Sequence, residues 1–331
     1  MKQTAIPRTL LFTFFLFQVY YLVGQSKADW VGGFPDGCTT ITVGKAASSD
    51  GSVITSHTDD SHRTRSWMDV KHAADHPADA MVSMYKRMND SAQAMPAYKH
   101  KKIGTIPQAG HTFGYLNTAY PCINEHQLAI GESTFGGRDT LQSDKGLIDC
   151  QRLCKLMLER ATTAREAIQL AAQLTQKYGW RDFGECLTIA DEEEVWHFEI
   201  LGPGKGKVGS IWAAQRVPDN HISVNANASR IRQINLKEPA RFMASENVFK
   251  VARERGWWTP DNGPFEFCYA YAPESRKSVA ARRREWRVLD LLAPSLDLSP
   301  TSENYPFSVK PDVNVNLSDL VTVFKDYYQG T

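Results

Sequence analysis

Cys38 is the residue of this sequence whose type and position are best suited to chemistry. It follows the glycine-rich stretch DWVGGFPDG and begins a segment in which Thr alternates with Ile and Val. That alternation predicts a β-strand. A cut between Gly37 and Cys38 would place a new α-amine, with a pKa of about 7.7–8.0, beside a thiol with a pKa of about 8.5. One residue would then provide both nucleophile and general base for amide hydrolysis.

The residue before Cys38 suits such a cut. If the thiol attacks its own preceding carbonyl, the attack is least obstructed when that carbonyl belongs to a glycine, here Gly37. The alternative interpretation is that Asp36-Gly37 is an ordinary turn and that Cys38 is a buried or disulfide-bonded cysteine.

A polar segment, residues 57–62 (HTDDSH), closes the predicted hairpin of residues 39–58. The end of a hairpin lies beside its first strand, so Asp59 or Asp60 is expected near Cys38. A carboxylate there could hold a protonated amine or position the amine of a substrate. The two carboxylates and two imidazoles could instead bind a metal, or the segment could be a solvated turn.

The N-terminus has the pattern of a secretory signal peptide, predicted over residues 1–28. Two basic residues precede an uncharged apolar run from Leu10 to Val23, and small and polar residues follow. The run is short for a spanning helix, which needs about 20 apolar residues, and an uncleaved anchor is the alternative. We therefore predict an exported protein with a pro-segment at residues 29–37 and a catalytic domain at residues 38–331, in a compartment that permits disulfides.

The composition is that of a folded protein. Of 331 residues, 42% are hydrophobic and 11% aromatic, which excludes a disordered chain. The net charge of +1 does not favour a nucleic-acid or membrane-surface binder. Six scattered cysteines are too few for a disulfide scaffold.

Hydrophobic periodicity predicts a layered α+β fold, because strands, helices, strands and helices follow one another. The predicted strands lie at 39–58 (a hairpin), around 128–130, at 186–201 (a second hairpin) and at 222–226. The predicted helices lie at 150–161, 163–178, 240–256 and 278–293. Residues 59–110 are predicted to be irregular loops with short helices.

Two further groups are predicted to be structural. Cys150 and Cys154 lie on the apolar stripe of a predicted helix, which favours core packing over chemistry. The basic run Arg282-Arg283-Arg284 with Arg287 is interpreted as a solvated helix face with local salt bridges.

A series of short segments extends in order from Cys38 nearly to the end of the chain. They are CTTITVGKAAS at 38–48 with DGS at 50–52, NE at 124–125 with EST at 132–134, IAD at 189–191 with WHFE at 196–199, QRVPD at 215–219, NAN at 225–227 with RI at 230–231, and RREWR at 283–287 with LLAP at 291–294. Together these segments resemble the PepD-type dipeptidases, cysteine members of the N-terminal-nucleophile (Ntn) hydrolases.

The resemblance implies a four-layer αββα sandwich, autoproteolytic exposure of Cys38, and hydrolysis of dipeptides without a metal or other cofactor. Cys38 would act as nucleophile and base, and Asp60 corresponds to a carboxylate that related amidases place near the nucleophile's amine. His57 falls where many of those relatives carry an arginine, which makes the local charge dependent on pH. Asn227 is the candidate oxyanion donor, with a backbone N–H near Ser133 or Thr134 as its partner.

The site predicted from these considerations has two sets of residues. The catalytic set is Cys38, Asp60 and Asn227, with the cleavage point between Gly37 and Cys38. The substrate-binding set is His57, Asp59, Glu132, Ser133 and Thr134, in which Asp59 or Glu132 could hold the substrate's ammonium group. No metal is assigned.

The sequence therefore predicts an exported cysteine dipeptidase acting on small peptides, without nucleic-acid partners and without stable membrane contact after signal cleavage. Self-association into a homo-oligomer is left open. Similar dipeptidases continue well past the position of residue 331, so the chain is expected to lack the C-terminal part of the family. One alternative is an Ntn acylase acting on a conjugated bile salt or penicillin V. The other is a non-catalytic secreted binding protein in which Cys38 is structural.

Overall fold

The computed structural model of the protein describes residues 37–60, 68–88 and 99–328. The predicted signal peptide and the predicted pro-segment up to residue 36 lie outside the described residues. Except for Asp60, the described residues belong to one unit. Among them, no helix combines the length and apolarity that crossing a membrane requires.

The strands of the described residues are numbered along the chain. They are β1 (Gly37–Val43), β2 (Ile54–Thr55), β3 (Thr58–Asp60), β4 (Asp69–Lys71), β5 (Ala74–Asp75), β6 (Met81–Met88), β7 (Lys99–Pro107), β8 (His111–Thr112), β9 (Tyr115–Asn117), β10 (Ile123–Asn124), β11 (Ala129–Phe135), β12 (Gly184–Ala190), β13 (Val195–Leu201), β14 (Ile211–Arg216), β15 (Ile222–Asn225), β16 (Phe242–Ala244) and β17 (Ser308–Val309).

The α-helices of the same residues are numbered likewise. They are α1 (Cys150–Arg160), α2 (Ala164–Tyr178), α3 (Val248–Glu254), α4 (Phe267–Tyr271), α5 (Pro273–Lys277), α6 (Val279–Leu292) and α7 (Leu317–Phe324). This mixture of helices and strands confirms the predicted α+β class.

Two large sheets contain most of these strands. The smaller has the order β17-β15-β1-β2, with β3 also paired to β1, and the larger has the order β16-β14-β13-β12-β11-β10-β9-β4. The recorded pairings within both sheets are antiparallel, as between Thr42 and Ser223 of β1 and β15. The predicted hairpin of residues 39–58 is present as β1 and β2, although its second strand is shorter than predicted.

Strands β12 and β13 are buried along their whole length, because both faces of the larger sheet are covered there. On one face, α1 and α2 contribute to an apolar cluster with Leu187 and Phe198 of these strands. On the other face the smaller sheet approaches. A Cβ built on Gly131 of β11 would lie 2.7 Å from the Ser56 carbonyl oxygen, so this contact accommodates only a hydrogen atom.

Helices α1 and α2 begin and end within a residue of the predicted positions. The Asp149 side chain accepts a hydrogen bond from the Arg152 backbone N–H at the start of α1. Thr163 and Glu166 form a capping box at the start of α2, and Gly179 ends that helix with a positive φ of 79°. Both cysteines of α1, Cys150 and Cys154, are buried in the apolar cluster, as predicted.

Two segments differ from the prediction. The described parts of 59–110 contain the end of β3, strands β4 to β7 and no helix, and β6 pairs with β7 as a hairpin. Its second strand begins Lys-His-Lys-Lys, and this charge concealed the strand pattern. Residues 240–256 were predicted as one helix but divide into β16 and α3, because Phe242 to Ala244 extend the larger sheet beyond β14. All six cysteines lie in the described residues as free thiols.

A buried histidine connects the two large sheets. The Nε2 atom of His197 in β13 lies 3.2 Å from the Thr42 hydroxyl in β1, and its Nδ1 lies 3.8 Å from Cys186 Sγ. Burial, and then the charge of Arg230, lower the pKa of His197 from 6.5 to about 3. The imidazole is therefore neutral in the folded protein at any pH above that value.

We predict that His197 makes the fold sensitive to acid. Between pH 6.5 and 3 the unfolded chain binds a proton at this residue and the folded chain does not, so stability falls as the pH falls through this window. His197→Gln, which cannot titrate, removes a slope of up to about 1.4 kcal/mol per pH unit. Urea unfolding measures the free energy of unfolding of the unsubstituted protein and of the variant at several pH values in this range. If the two free energies change with pH by the same amount, the prediction is contradicted.

Candidate active site

Cys38 lies at the start of a buried central strand. It is the second residue of β1, and its side chain is buried. Strand β1 has β15 on one side and β2 on the other, so its backbone is held by both neighbours. This placement fixes the thiol more firmly than a loop would.

The backbone N–H of Cys38 is held by a side chain. It donates a hydrogen bond of 2.8 Å to Oδ1 of Asn227, which follows β15. The Asn227 Nδ2 donates to the Thr134 carbonyl oxygen at 2.6 Å, and the Asn227 backbone N–H donates to Ser133 Oγ at 2.8 Å. The φ of Asn227 is +62°, a left-handed conformation that asparagine tolerates better than most residues. The nitrogen that cleavage would free is thus already bound to Asn227.

Arg284 of α6 binds the backbone of Cys38 at its carbonyl, in the next peptide group along the chain. Its Nη1 donates to the Cys38 carbonyl oxygen at 2.6 Å and to Thr39 Oγ1 at 3.1 Å. Its Nη2 donates to Asn227 Oδ1 at 2.9 Å and to the Ala226 carbonyl oxygen at 3.1 Å. Asn227 Oδ1 thus accepts from two donors while its Nδ2 donates to a carbonyl, so the assignment of the amide oxygen and nitrogen is consistent with their partners.

The interpretation of the arginine run as a solvated helix face is wrong for Arg284. The useful signal was its position on the helix, since Ala281 and Val288 lie three residues before and four residues after it on the same face, and both are buried. Arg287 does form the local salt bridges predicted for the run, to Asp290 and Asp326.

A pair of buried carboxyl groups lies behind the thiol. Cys38 Sγ donates to Oε2 of Glu132 at 3.6 Å, and Thr134 Oγ1 lies 2.8 Å from a carboxyl oxygen of both Glu132 and Glu185. Because a hydroxyl has only one proton, both contacts are hydrogen bonds only if one carboxyl carries a proton. Burial and the charge of Glu132 raise the pKa of Glu185 well above its usual value, so Glu185 is that carboxyl.

Glu132 remains ionised. Burial alone would raise its pKa, but His57 and the hydrogen bonds of Glu185 and Thr134 hold the pKa of Glu132 below its ordinary value. The Nε2 atom of His57 lies 3.4 Å from Glu132 Oε2, too poorly aligned for a hydrogen bond. Burial, then the charges of Glu132 and Asp59, raise the pKa of Cys38 strongly, so the thiol is neutral while the Gly37–Cys38 bond is intact.

The predicted site residues are thus brought together in most cases. His57, Glu132, Ser133, Thr134 and Asn227 lie beside Cys38 or bind one another there. Asp59 has an exposed side chain in β3, and its charge acts on the thiol. Asp60 ends β3 with an exposed side chain, and its catalytic role stays a prediction. The oxyanion role of Asn227 also stays a prediction, since Nδ2 here binds Thr134.

A polar cavity adjoins this cluster through an aromatic contact. The ring of Tyr120 packs edge-on against the His57 imidazole, with 5.8 Å between centroids, and it also lines a cavity of about 640 Å³. The charged side chains that line the cavity have both signs and include Asp149, Asp182, Arg152 and Arg181.

Comparison with known proteins identifies the family. Residues 37–331 match the sequence profile of peptidase family C69. The chain belongs to this family. The match begins one residue before Cys38, at the bond predicted to be cut. The resemblance to cysteine-type dipeptidases found in the sequence is therefore confirmed.

Curated relatives of this C69 member carry dipeptidase names. The chain is 27% identical over 309 residues to a probable dipeptidase of Salmonella dublin, which covers 89% of this chain and 67% of the relative. It is 28% identical over 305 residues to a probable dipeptidase of Latilactobacillus sakei, with 89% and 61% covered. A probable dipeptidase B of Streptococcus pyogenes serotype M1 is 24% identical over 302 residues, with 88% and 57% covered. The matched region thus spans roughly three fifths to two thirds of these relatives.

We predict that Arg284→Met destabilises this C69 protein. The substitution removes the charged donors to the Cys38 carbonyl and to Asn227, and a hydrogen bond to a charged group contributes about 1.5–3 kcal/mol. Chemical denaturation of the variant should show a loss of at least that size in the free energy of unfolding.

Arg283→Met is the matched control for this measurement. The Arg283 guanidinium stacks over Trp286 at 5.3 Å and makes none of the Cys38 contacts described here. Equal losses in the two variants would contradict a specific role for Arg284 in holding Cys38.

Proposed function

We propose that the chain is the precursor of a cysteine dipeptidase in which Cys38 becomes the N-terminal nucleophile. One observation carries the proposal. The backbone of Cys38 is held at its N–H by Asn227 and at its carbonyl by Arg284, at the start of a buried strand. Cleavage before Cys38 would leave an amine and a thiol in a site that is already assembled.

Removal of the pro-segment would proceed by attack of the thiol on the Gly37 carbonyl. The Cys38 thiol transfers its proton to the departing Cys38 nitrogen, and the Gly37 acyl group moves to sulfur as a thioester. This transfer frees the α-amine of Cys38, and water then hydrolyses the thioester, which frees the thiol and leaves Gly37 as a carboxylate. A Cβ on Gly37 would lie 3.3 Å from Arg284 Nη1 and 3.4 Å from Asn227 Oδ1, so glycine suits this crowded position.

Dipeptide hydrolysis would use the same two groups. The free α-amine accepts the thiol proton, and the thiolate attacks the carbonyl of the dipeptide. The Asn227 amide, with a backbone N–H near Ser133 or Thr134, would hold the oxyanion. The ammonium returns the proton to the leaving amine, and water releases the acyl group from sulfur.

The charges of the site favour a dipeptide over an apolar acyl group. Glu132 is ionised and buried beside Cys38, and Asp59 carries a second negative charge that acts on it. Either carboxylate could hold the ammonium group of a substrate. The neighbouring cavity has charges of both signs, which suits a zwitterion better than the acyl chain of a bile salt or penicillin V.

We propose the layered arrangement and the export of the protein together with this function. Helices α1 and α2 cover one face of the larger sheet, and α6 contributes to the apolar cluster of the smaller sheet. Together with the contact between the two sheets, this supports the four-layer αββα arrangement of Ntn hydrolases. We also propose export to the periplasm or medium, on the apolar N-terminal run.

Cys38→Ala should abolish both reactions. The substitution removes the sulfur nucleophile, so the peptide bond after Gly37 should remain uncut. Its dipeptide hydrolysis should fall on the order of 10⁶-fold, as for removal of other catalytic nucleophiles. Intact mass and N-terminal sequencing measure the first effect, and a panel of dipeptides with free N-termini measures the second.

Cys122→Ala is the matched control, because Cys122 is a partly buried free thiol outside the site. This variant should be cleaved before Cys38 and should hydrolyse dipeptides at the rate of the unsubstituted chain. Acyl amides such as penicillin V, tested beside the dipeptides, distinguish the acylase alternative. An uncut chain that hydrolyses nothing would favour the binding-protein alternative.

A further inference from the structure

Three potential metal ligands of different chemistry converge at Cys38. The ligand atoms of Cys38, His57 and Glu132 all lie within 4.8 Å of one another. Sulfur, imidazole nitrogen and carboxylate oxygen are the three donor types that zinc takes in proteins. The cluster therefore differs from a group of acidic side chains, which would favour harder ions.

The distances between these ligand atoms match the edges of a zinc tetrahedron. With bonds of about 2.3 Å to sulfur and 2.0–2.1 Å to oxygen and nitrogen, the S···O edge is about 3.5 Å and the N···O edge about 3.3 Å. The structure has 3.6 Å between Cys38 Sγ and Glu132 Oε2, and 3.4 Å between His57 Nε2 and the same oxygen. The remaining side of the triangle is at most 4.8 Å, which a small rotation of the imidazole would shorten.

The histidine nitrogen that faces this triangle is otherwise unused. His57 Nε2 is buried and has no hydrogen-bond partner among the described residues. A buried polar atom without a partner is costly, and a metal ion would satisfy it. A thiolate, a carboxylate and a neutral imidazole would also make the complex with Zn²⁺ electrically neutral, which burial tolerates.

We propose that Cys38, His57 and Glu132 form an inhibitory zinc site. Zn²⁺ would displace the proton of the Cys38 thiol to solvent and bind the three side chains, with a fourth position open to water. The sulfur would then be a ligand rather than a nucleophile, so zinc would stop both cleavage before Cys38 and hydrolysis of dipeptides. The inhibition rests on the proposed function, but binding does not.

The first experiment measures metal binding by the full chain. Titration with Zn²⁺ alone should give one saturable site per chain, and Co²⁺ as a probe should give a thiolate-to-cobalt charge-transfer band. Cys38→Ser should abolish the band. His57→Gln and Glu132→Gln should each weaken zinc binding by more than about 100-fold, since even loss of an outer-shell partner costs 10–100-fold.

Two control variants locate the metal. His111→Gln removes an exposed histidine that pairs with Asp75 outside the site, and it should leave zinc affinity unchanged. Cys150→Ala tests the neighbouring cluster of Glu132, Cys150 and Glu185. It should also retain the metal, and loss of zinc in this variant would place the ion there and overturn the proposal. Absence of saturable binding, or binding that survives both Cys38→Ser and His57→Gln, would overturn it as well.

A second measurement separates the site from the proposed function. Equimolar Zn²⁺ should stop dipeptide hydrolysis by the processed chain, and a chelator should restore it fully. A chain that binds zinc at this site but hydrolyses no dipeptide when metal-free would refute the proposed function and leave the site standing. A chain that hydrolyses dipeptides at the same rate with and without equimolar Zn²⁺ would refute the inhibition.

Discussion

The site depends on the hydrogen bonds by which Arg284 and Asn227 hold the backbone of Cys38 on both sides of its Cα atom. Cys38 is the second residue of β1, and the hydrogen bonds of the strand alone would allow this end of it to fray. Asn227 accepts a hydrogen bond from the Cys38 N–H, and Arg284 donates hydrogen bonds to the Cys38 carbonyl and to Asn227. Three chain segments therefore meet at Cys38. Because one guanidinium joins them, the position of the thiol depends on the packing of α6 against the smaller sheet.

A balance of buried charge accompanies this geometry. Glu132 and Glu185 share the hydroxyl of Thr134 behind the thiol, and they tolerate such closeness because Glu185 keeps its proton. The remaining charge of Glu132 faces the thiol and the imidazole of His57. The arrangement that keeps the thiol neutral before cleavage also places three potential metal ligands close together. Protection of the nucleophile and susceptibility to metal thus have one cause.

Prediction from the sequence succeeded where local patterns are strong. The capping box at Thr163 and the apolar stripes of α1 and α2 marked both helices within a residue or two, since these signals depend on neighbours three and four positions apart. It failed for β7, whose first residues are charged, and for β16, a strand of three residues that forms by pairing with the edge of β14. In the site, Cys38 was recognisable from its flanking residues, whereas Arg284 was hidden in a run of like residues.

The sequence by itself determined the type of chemistry, because a cysteine after a glycine-rich segment and at the head of a strand is a local feature. It also determined the family, through segments distributed between residues 38 and 294. The resemblance had named Glu132 and Asn227 as residues of the site, but only the tertiary structure decided how they contact Cys38 and added Arg284 to them. Glu132, Asn227 and Arg284 lie 94, 189 and 246 residues from Cys38 along the chain. Their convergence follows from the packing of two sheets and a helix, and no local pattern encodes distances of that kind.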